Sequence, residues 1–185
     1  MDAHAAALAA GEVAPAPAAC NESAPSVIDH LEAALADSAP AISSDIQQAI
    51  GVLALAASWR QTASYVECPP SAEFLDNYAH ATLLGPPDDV PMSDVSGQNG
   101  VAVGLVLLGP GVVYPPHQHP ADEVYVPLQR IEWTHERHGM PAAVAPGDLI
   151  HHVPWQPHSM RVGARPALLL YIWSGDVVTP SRFCA

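Results

Sequence analysis

From Val101 to the end, the chain breaks into short runs of Val, Leu, Ile and Tyr, each stopped by Gly or Pro. Runs of that length suit strands, whereas a helix of ordinary size needs 10–12 residues of unbroken 3.6-residue periodicity. Strands are predicted at Val101–Leu108, Val112–Pro116, Glu123–Pro127, Leu149–Val153, Ser159–Val162 and Ala167–Trp173. Many short strands divided by turn signals imply an antiparallel sandwich or barrel, a form that can enclose a small ligand among its inward side chains.

The first half has a different texture. Residues 1–24 are rich in Ala and Pro without an apolar face, and are expected to form a flexible tail. Val27, Ile28, Leu31, Ala34 and Leu35 then make an amphipathic helical stripe. A second helix is expected from Asp45 to about Trp59, with Ser44 as its N-cap. A third follows Pro69-Pro70, with Ser71 as cap, Glu73 near the positive end of the dipole and Gly85 as its stop. Residues 86–100 read as a loop or linker. The expected architecture is therefore α+β: a tail over 1–24, an α-helical subdomain with linker over 25–99, and a β-barrel domain over 100–185.

Charge separates the same halves. The chain has 185 residues, no lysine and a formal charge of -13; residues 1–92 carry 12 acids against Arg60 alone. Without lysine there is no Schiff-base chemistry and no Walker-type phosphate loop. The acidic balance argues against nucleic acid as a partner. Cys20, Cys68 and Cys184 are widely spaced and odd in number, which reads as unpaired thiols in a reducing compartment. No apolar run reaches the ~18 residues of a membrane span. The first 20 residues lack a basic leader pattern, so a cytoplasmic location is expected. Seven of the ten histidines fall between His117 and His158, and function is sought there.

The informative segment is Gly111-x5-His117-x-His119-x3-Glu123-x-Tyr125. Side chains alternate across a strand, so His117 and His119 share a face, and Glu123 and Tyr125 return to it if Pro120–Asp122 bends the chain. Downstream, Pro146-Gly147-Asp148 marks a tight turn, and His158 would bring a third imidazole from a neighbouring strand. Imidazoles and a carboxylate converging inward suit a divalent first-row metal.

These spacings resemble the two metal-binding motifs of the cupin superfamily. Departures lie at Val153, Trp155 and Val162, where the second motif has proline, glycine and asparagine, and at Arg130, where the first motif closes on glycine. More narrowly, Tyr114-Pro-Pro-His117-x-His119-Pro-Ala-x-Glu123-x-Tyr125, with Pro157-His158-x-Met160-Arg161, is similar to the cupin-type dimethylsulfoniopropionate lyases, most of all the Q-type enzymes of marine bacteria. The resemblance is densest from Leu105 to Arg161. It implies a cupin barrel behind N-terminal helices, and one divalent transition metal (Zn or Fe, or else Mn, Co or Ni). The metal would sit on His119, Glu123, Tyr125 and His158, with His117 either a ligand or a pocket-lining residue. Tyr125, assisted by Tyr114, would be the base.

The implied substrate is a zwitterion with a carboxylate and a sulfonium. Aromatic faces can hold the sulfonium by cation–π attraction, and Tyr114, Trp155, Tyr171 and Trp173 are the candidate walls. The implied partner is that small molecule alone, with no nucleic acid and no membrane, acting on a monomer or homodimer. Two other readings stand beside it: an iron dioxygenase on the same ligands, and a small-molecule-binding cupin without catalysis. Trp133 reads as packing, His135 and His138 as a solvated loop, Asp148 as a turn residue and Arg161 as a surface ion pair. His151 and His152 have opposite parity, so at most one faces the pocket.

Overall fold

The computed structural model describes residues 24–38, 42–85 and 100–184. The expected tail, all but its last residue, and the expected linker up to residue 99 lie outside these ranges. A 3-10 turn at Ser26–His30 leads into α1 (Leu31–Ala36), followed by α2 (Ser44–Ala56), α3 (Ala63–Glu67) and α4 (Ala72–Asp76). Ten strands follow among the described residues: β1 (Tyr78–Leu84), β2 (Gly100–Leu108), β3 (Val113–Gln118), β4 (Asp122–Pro127), β5 (Ile131–Thr134), β6 (Ala142–Val144), β7 (Ile150–His152), β8 (His158–Arg161), β9 (Ala167–Gly175) and β10 (Arg182–Phe183).

They form two five-stranded sheets, ordered β1-β2-β9-β4-β7 and β10-β3-β8-β5-β6, with every paired neighbour antiparallel. From β3 onward the chain passes repeatedly between the sheets, giving the double-stranded β-helix that the cupin resemblance implies. Among the described residues the two sheets are not closed by strand pairing into a continuous barrel.

All six expected strands are present with small shifts of their ends. β2 and β9 read as unbroken apolar runs because both of their faces are covered. Leu105, Leu107 and Leu168 pack outward against Val27, Leu31, Ala34, Ile50 and Ala54 of the helices. Val106, Leu108, Leu169 and Tyr171 point between the sheets, towards Ile131, Trp133 and Met160. Each leucine fully buried this way contributes ~1.5–3 kcal/mol. Gln129 ties the layers together: its amide nitrogen donates to Ala34 O at 2.7 Å and its carbonyl accepts from Leu168 N at 2.7 Å.

The helical expectations need three corrections. Ser44 opens α2 as a helical residue, with Ser43 at the cap position, and the helix stops at Ala56, short of Trp59. Trp59 instead turns back, its indole N–H donating to Ala54 O at 2.9 Å. Ser71 does cap its helix, accepting from Phe74 N at 3.1 Å, but that helix ends at Asp76 and not at Gly85. Tyr78–Leu84 is strand β1, paired along its length with β2. Ala and Leu favour helix locally, but the unpaired edge of β2 offers a full ladder of hydrogen bonds, and tertiary pairing overrides propensity. Gly109 makes the join possible: its N–H donates to Asn77 O at 2.9 Å, and a Cβ there would stand 2.0 Å from Asn77 Oδ1. Arg60 and His80 bridge the outer edge of β1 through two backbone bonds of 2.8 Å.

Candidate metal centre and active site

β3 and β4 carry the first motif to the space between the sheets, and β8 brings the second. His117, His119, Glu123 and His158 are all buried there. The hydrogen bonds of each imidazole fix which nitrogen is free. His117, His119 and His158 place Nδ1 against the backbone carbonyls of Pro115 (2.9 Å), Ala121 (3.2 Å) and Gln156 (2.9 Å). A carbonyl only accepts, so in the neutral rings the proton sits on Nδ1 and each Nε2 is a bare lone pair. Nε2 of His117 and of His158 has no hydrogen-bond partner.

Those lone pairs meet the carboxylate. His119 Nε2 lies 3.0 Å and His158 Nε2 3.3 Å from Glu123 Oε2. Two acceptors brought together in a buried site repel unless a cation lies between them. Ligands ~2.1 Å from one tetrahedral or octahedral ion stand ~3.0–3.4 Å apart, the separations seen here. His119, Glu123 and His158 each offer one ligand atom, all within 4.8 Å of one another. The donor set therefore fits a divalent transition ion.

Glu123 is also held from outside that ring. The Trp173 indole N–H donates to its Oε1 at 2.5 Å. The Trp133 indole donates to His152 Nε2 at 3.0 Å; indole nitrogen can only donate, so the His152 proton is on Nδ1, 3.4 Å from Glu123 Oε2. Burial alone would raise the Glu123 carboxyl, but its imidazole neighbours, His119 first and then His152 and His158, hold it well below its ordinary value. Burial lowers the imidazoles: His117 falls to about 3, and His158 falls well below its usual value, with His117 adding to the effect.

A cavity of about 870 Å3 opens beside this cluster. Tyr114, His117, His119, Tyr125, Tyr171 and Trp173 all line it. Trp155 does not, which removes it from the expected walls. Its backbone takes φ 64°, the left-handed region that the motif's glycine would occupy freely. Its N–H donates to His119 O at 2.7 Å while its half-exposed ring turns outward under the Arg182 guanidinium, 4.7 Å away.

The Tyr125 ring stands 6.1 Å from His158 and 6.4 Å from Tyr171. Tyr114 stacks flat on His117, 3.8 Å between centroids. Burial, and then their charged and phenolic neighbours, keep both phenols well above the ordinary tyrosine value. Gly104 makes room for the Tyr171 ring, since a Cβ there would stand 2.4 Å from its hydroxyl.

His151 is exposed and pairs with Asp122 at 3.0 Å, while its neighbour His152 is buried. Arg161 meets Glu132 at the surface, 3.7 Å away. Asp148 accepts from Ala145 N within its turn, Trp133 is fully buried in the core, and His135 and His138 are exposed. Sequence reasoning missed Tyr78, Arg60 and Thr62 on the cavity wall, because they come from the helical half and no spacing links them to the motifs. It also left His152 undecided, because Leu149 and Val153 make the face of His151 as apolar in sequence as the face that Ile150 and His152 share.

Three comparisons bear on this site. The family model for dimethylsulfoniopropionate (DMSP) lyase matches residues 2–169. The chain is 34% identical over 152 residues to the dimethylsulfoniopropionate lyase DddQ of Ruegeria pomeroyi, covering 80% of this chain and 71% of that one. The crystal structure of DddQ from Ruegeria pomeroyi DSS-3 superposes with a TM-score of 0.66 at 28% identity, over 87% of this chain and 77% of that one. A chain from the crystal structures of the DMSP lyases RdDddP and RnDddQII gives 0.68 at 25%, over 93% and 82%. With the family's model spanning most of the sequence and the same architecture around a buried His/Glu cluster, the chain belongs to the dimethylsulfoniopropionate lyase family.

Proposed function

We propose that the chain is a metal-dependent lyase that cleaves dimethylsulfoniopropionate to dimethyl sulfide and acrylate. The observation that carries this reading is the convergence of bare imidazole lone pairs on the Glu123 carboxylate beside an aromatic cavity. His119, Glu123 and His158 would hold the ion, with Tyr125 and His117 facing the same space. A divalent ion there would supply Lewis acidity to the substrate carboxylate and positive charge that offsets the burial of a phenolate.

The chain's own groups do the rest. Tyr125, assisted by Tyr114, takes the proton from the carbon next to the carboxylate. The C–H electron pair becomes the new double bond, and the sulfur leaves the β-carbon with the pair of the broken C–S bond. The sulfonium has no acidic hydrogen on sulfur, so it is recognised by charge against rings: Tyr114, Tyr171 and Trp173 offer faces worth ~0.5–2 kcal/mol each. Trp173 also donates to Glu123, so the wall that contacts the substrate also orients the ligand.

The test is headspace detection of dimethyl sulfide from protein loaded in turn with Zn, Fe, Mn, Co or Ni. Release with at least one ion, abolished by Tyr125→Phe in a folded protein, is the expected result; no release with any ion sinks the reading. His158→Ala should lower metal content on elemental analysis, and unchanged occupancy removes it from the ligands. Oxygen uptake without dimethyl sulfide would turn the reading to a dioxygenase. Tight binding without turnover would turn it to a binding protein.

A further inference from the structure

We infer that Tyr65, together with Ser181, is a positioning residue that sets which way the Tyr114 hydroxyl points, so that Tyr114 shows the cavity an oxygen lone pair and not a proton. The inference rests on Tyr114 sharing in proton abstraction as proposed above.

Tyr65 lies on α3, fully buried behind Tyr114. Its hydroxyl is 2.9 Å from that of Tyr114 and 2.8 Å from Ser181 Oγ, and Ser181 Oγ is 3.4 Å from Gln118 O. The direction of this chain follows from proton counting. A carbonyl oxygen only accepts, so Ser181 donates to Gln118. The Ser181 oxygen is then free to accept, and Tyr65 donates to it. Each hydroxyl has one proton, so Tyr65 has none left for Tyr114 and must accept there. The sequence of donors is Tyr114 to Tyr65 to Ser181 to Gln118 O, which turns the Tyr114 proton away from the cavity and leaves its oxygen one lone pair there beside the one that meets Tyr78. Proton abstraction needs the Tyr114 phenolate at that place: the proton it must first lose points away from the cavity, and the substrate proton then arrives on the open side. A Tyr114 O–H turned into the cavity would offer a donor instead.

The rings are held where this requires. Tyr65 stacks on Phe183 at 4.2 Å and meets Tyr114 edge-on at 6.0 Å, while Phe74 packs 6.0 Å from Tyr65 and 5.3 Å from Tyr114. The Tyr78 hydroxyl, 2.7 Å from Thr62 Oγ1, also hydrogen-bonds with Tyr114; because the single Tyr114 proton is spent on Tyr65, Tyr78 donates there and accepts from Thr62. α3 and the segment before β10 thus fix, from two distant parts of the sequence, the orientation of a group on β3.

Steady-state dimethyl sulfide release tests this with Tyr65→Phe, which keeps the ring and removes the hydroxyl. The expected result is kcat lower by about tenfold, the effect of losing one buried hydrogen-bond partner, with KM within about twofold. Ser181→Ala should shift kcat the same way, and Ser181→Thr, which keeps a hydroxyl, should restore it. That split distinguishes hydrogen-bond direction from packing, and Ser181→Ala carries the test if Tyr65→Phe fails to fold. A Tyr65→Phe kcat within about twofold of an active wild type overturns the inference alone. So does a Ser181→Thr variant as impaired as Ser181→Ala, or a change confined to KM. A wild type that releases no dimethyl sulfide brings down the proposed function and this inference with it.

Discussion

Acid should destabilise this protein through its own site, and His117 lets the effect be measured. The free imidazole value is 6.5, and burial lowers His117 to about 3 in the folded chain. As pH falls below about 6.5 the unfolded chain takes up a proton that the folded one refuses until near pH 3. Unfolding is therefore favoured across that window, and stability rises with pH through it, by ~1.4 kcal/mol per pH unit for one such group. Between pH 6.5 and 5 His117 alone removes about 2 kcal/mol. For a chain of this size that lowers Tm by roughly 4–8 °C. His158, also lowered, and Glu123, whose folded state holds its proton less tightly than the unfolded one, act with the same sign. The assay is calorimetric melting of chelator-stripped protein from pH 7 to 5, beside His117→Asn. The asparagine amide can keep the bond to Pro115 O but does not titrate there. The variant should lose stability less steeply, by ~1.4 kcal/mol per unit. Parallel slopes for the two proteins would refute the claim that His117 is buried and neutral.

Three other outcomes follow from the same geometry. Stripping the metal should lower Tm by roughly 5–10 °C when the ion had been present at ~100 times its Kd, and an unchanged melt would show that no ion bridges the cluster. Trp133→Phe removes the N–H that fixes the His152 proton opposite Glu123, and should weaken metal affinity about 10–100-fold in chelator competition; equal affinity would deny His152 its orienting role. In Gly104→Ala the added methyl would lie 2.4 Å from both the Tyr171 hydroxyl and Ala81 O, costing ~1–3 kcal/mol and raising KM as Tyr171 shifts. An unaltered melt and KM would mean that the sheet yields freely there.

What the sequence made legible was local. Strand parity put His117, His119, Glu123 and Tyr125 on one inward face before any contact was known, because period-two alternation depends only on neighbours, while His158 was added as an imidazole from a neighbouring strand. β5 and β6 escaped because four and three residues, one of them Glu132 and two of them Ala, carry little periodic signal. β1 was misread as helix because its partner β2 lies across the segment 85–99, and long-range pairing leaves no mark in a local pattern. Trp155 shows the opposite limit. Its place in the glycine position of the motif was visible, but that its ring would turn out to Arg182 depends on β10, some 27 residues away. Tyr65 had no signal at all, since it is separated from Tyr114 by 49 residues.

The pairing of β1 with β2 has a consequence for how this chain can be divided or fused. A cut at residue 100, where the texture of the sequence changes, would strip the ladder from one edge of a nine-residue central strand and bare Leu105 and Leu107 to water. Such an edge invites pairing with another molecule. It would also remove Tyr78 and Thr62 from the cavity wall and Tyr65 from behind it. The β-rich half is thus expected to aggregate when expressed by itself. Fusions and insertions are better placed in the turn at Glu136–Gly139, which crosses none of these contacts.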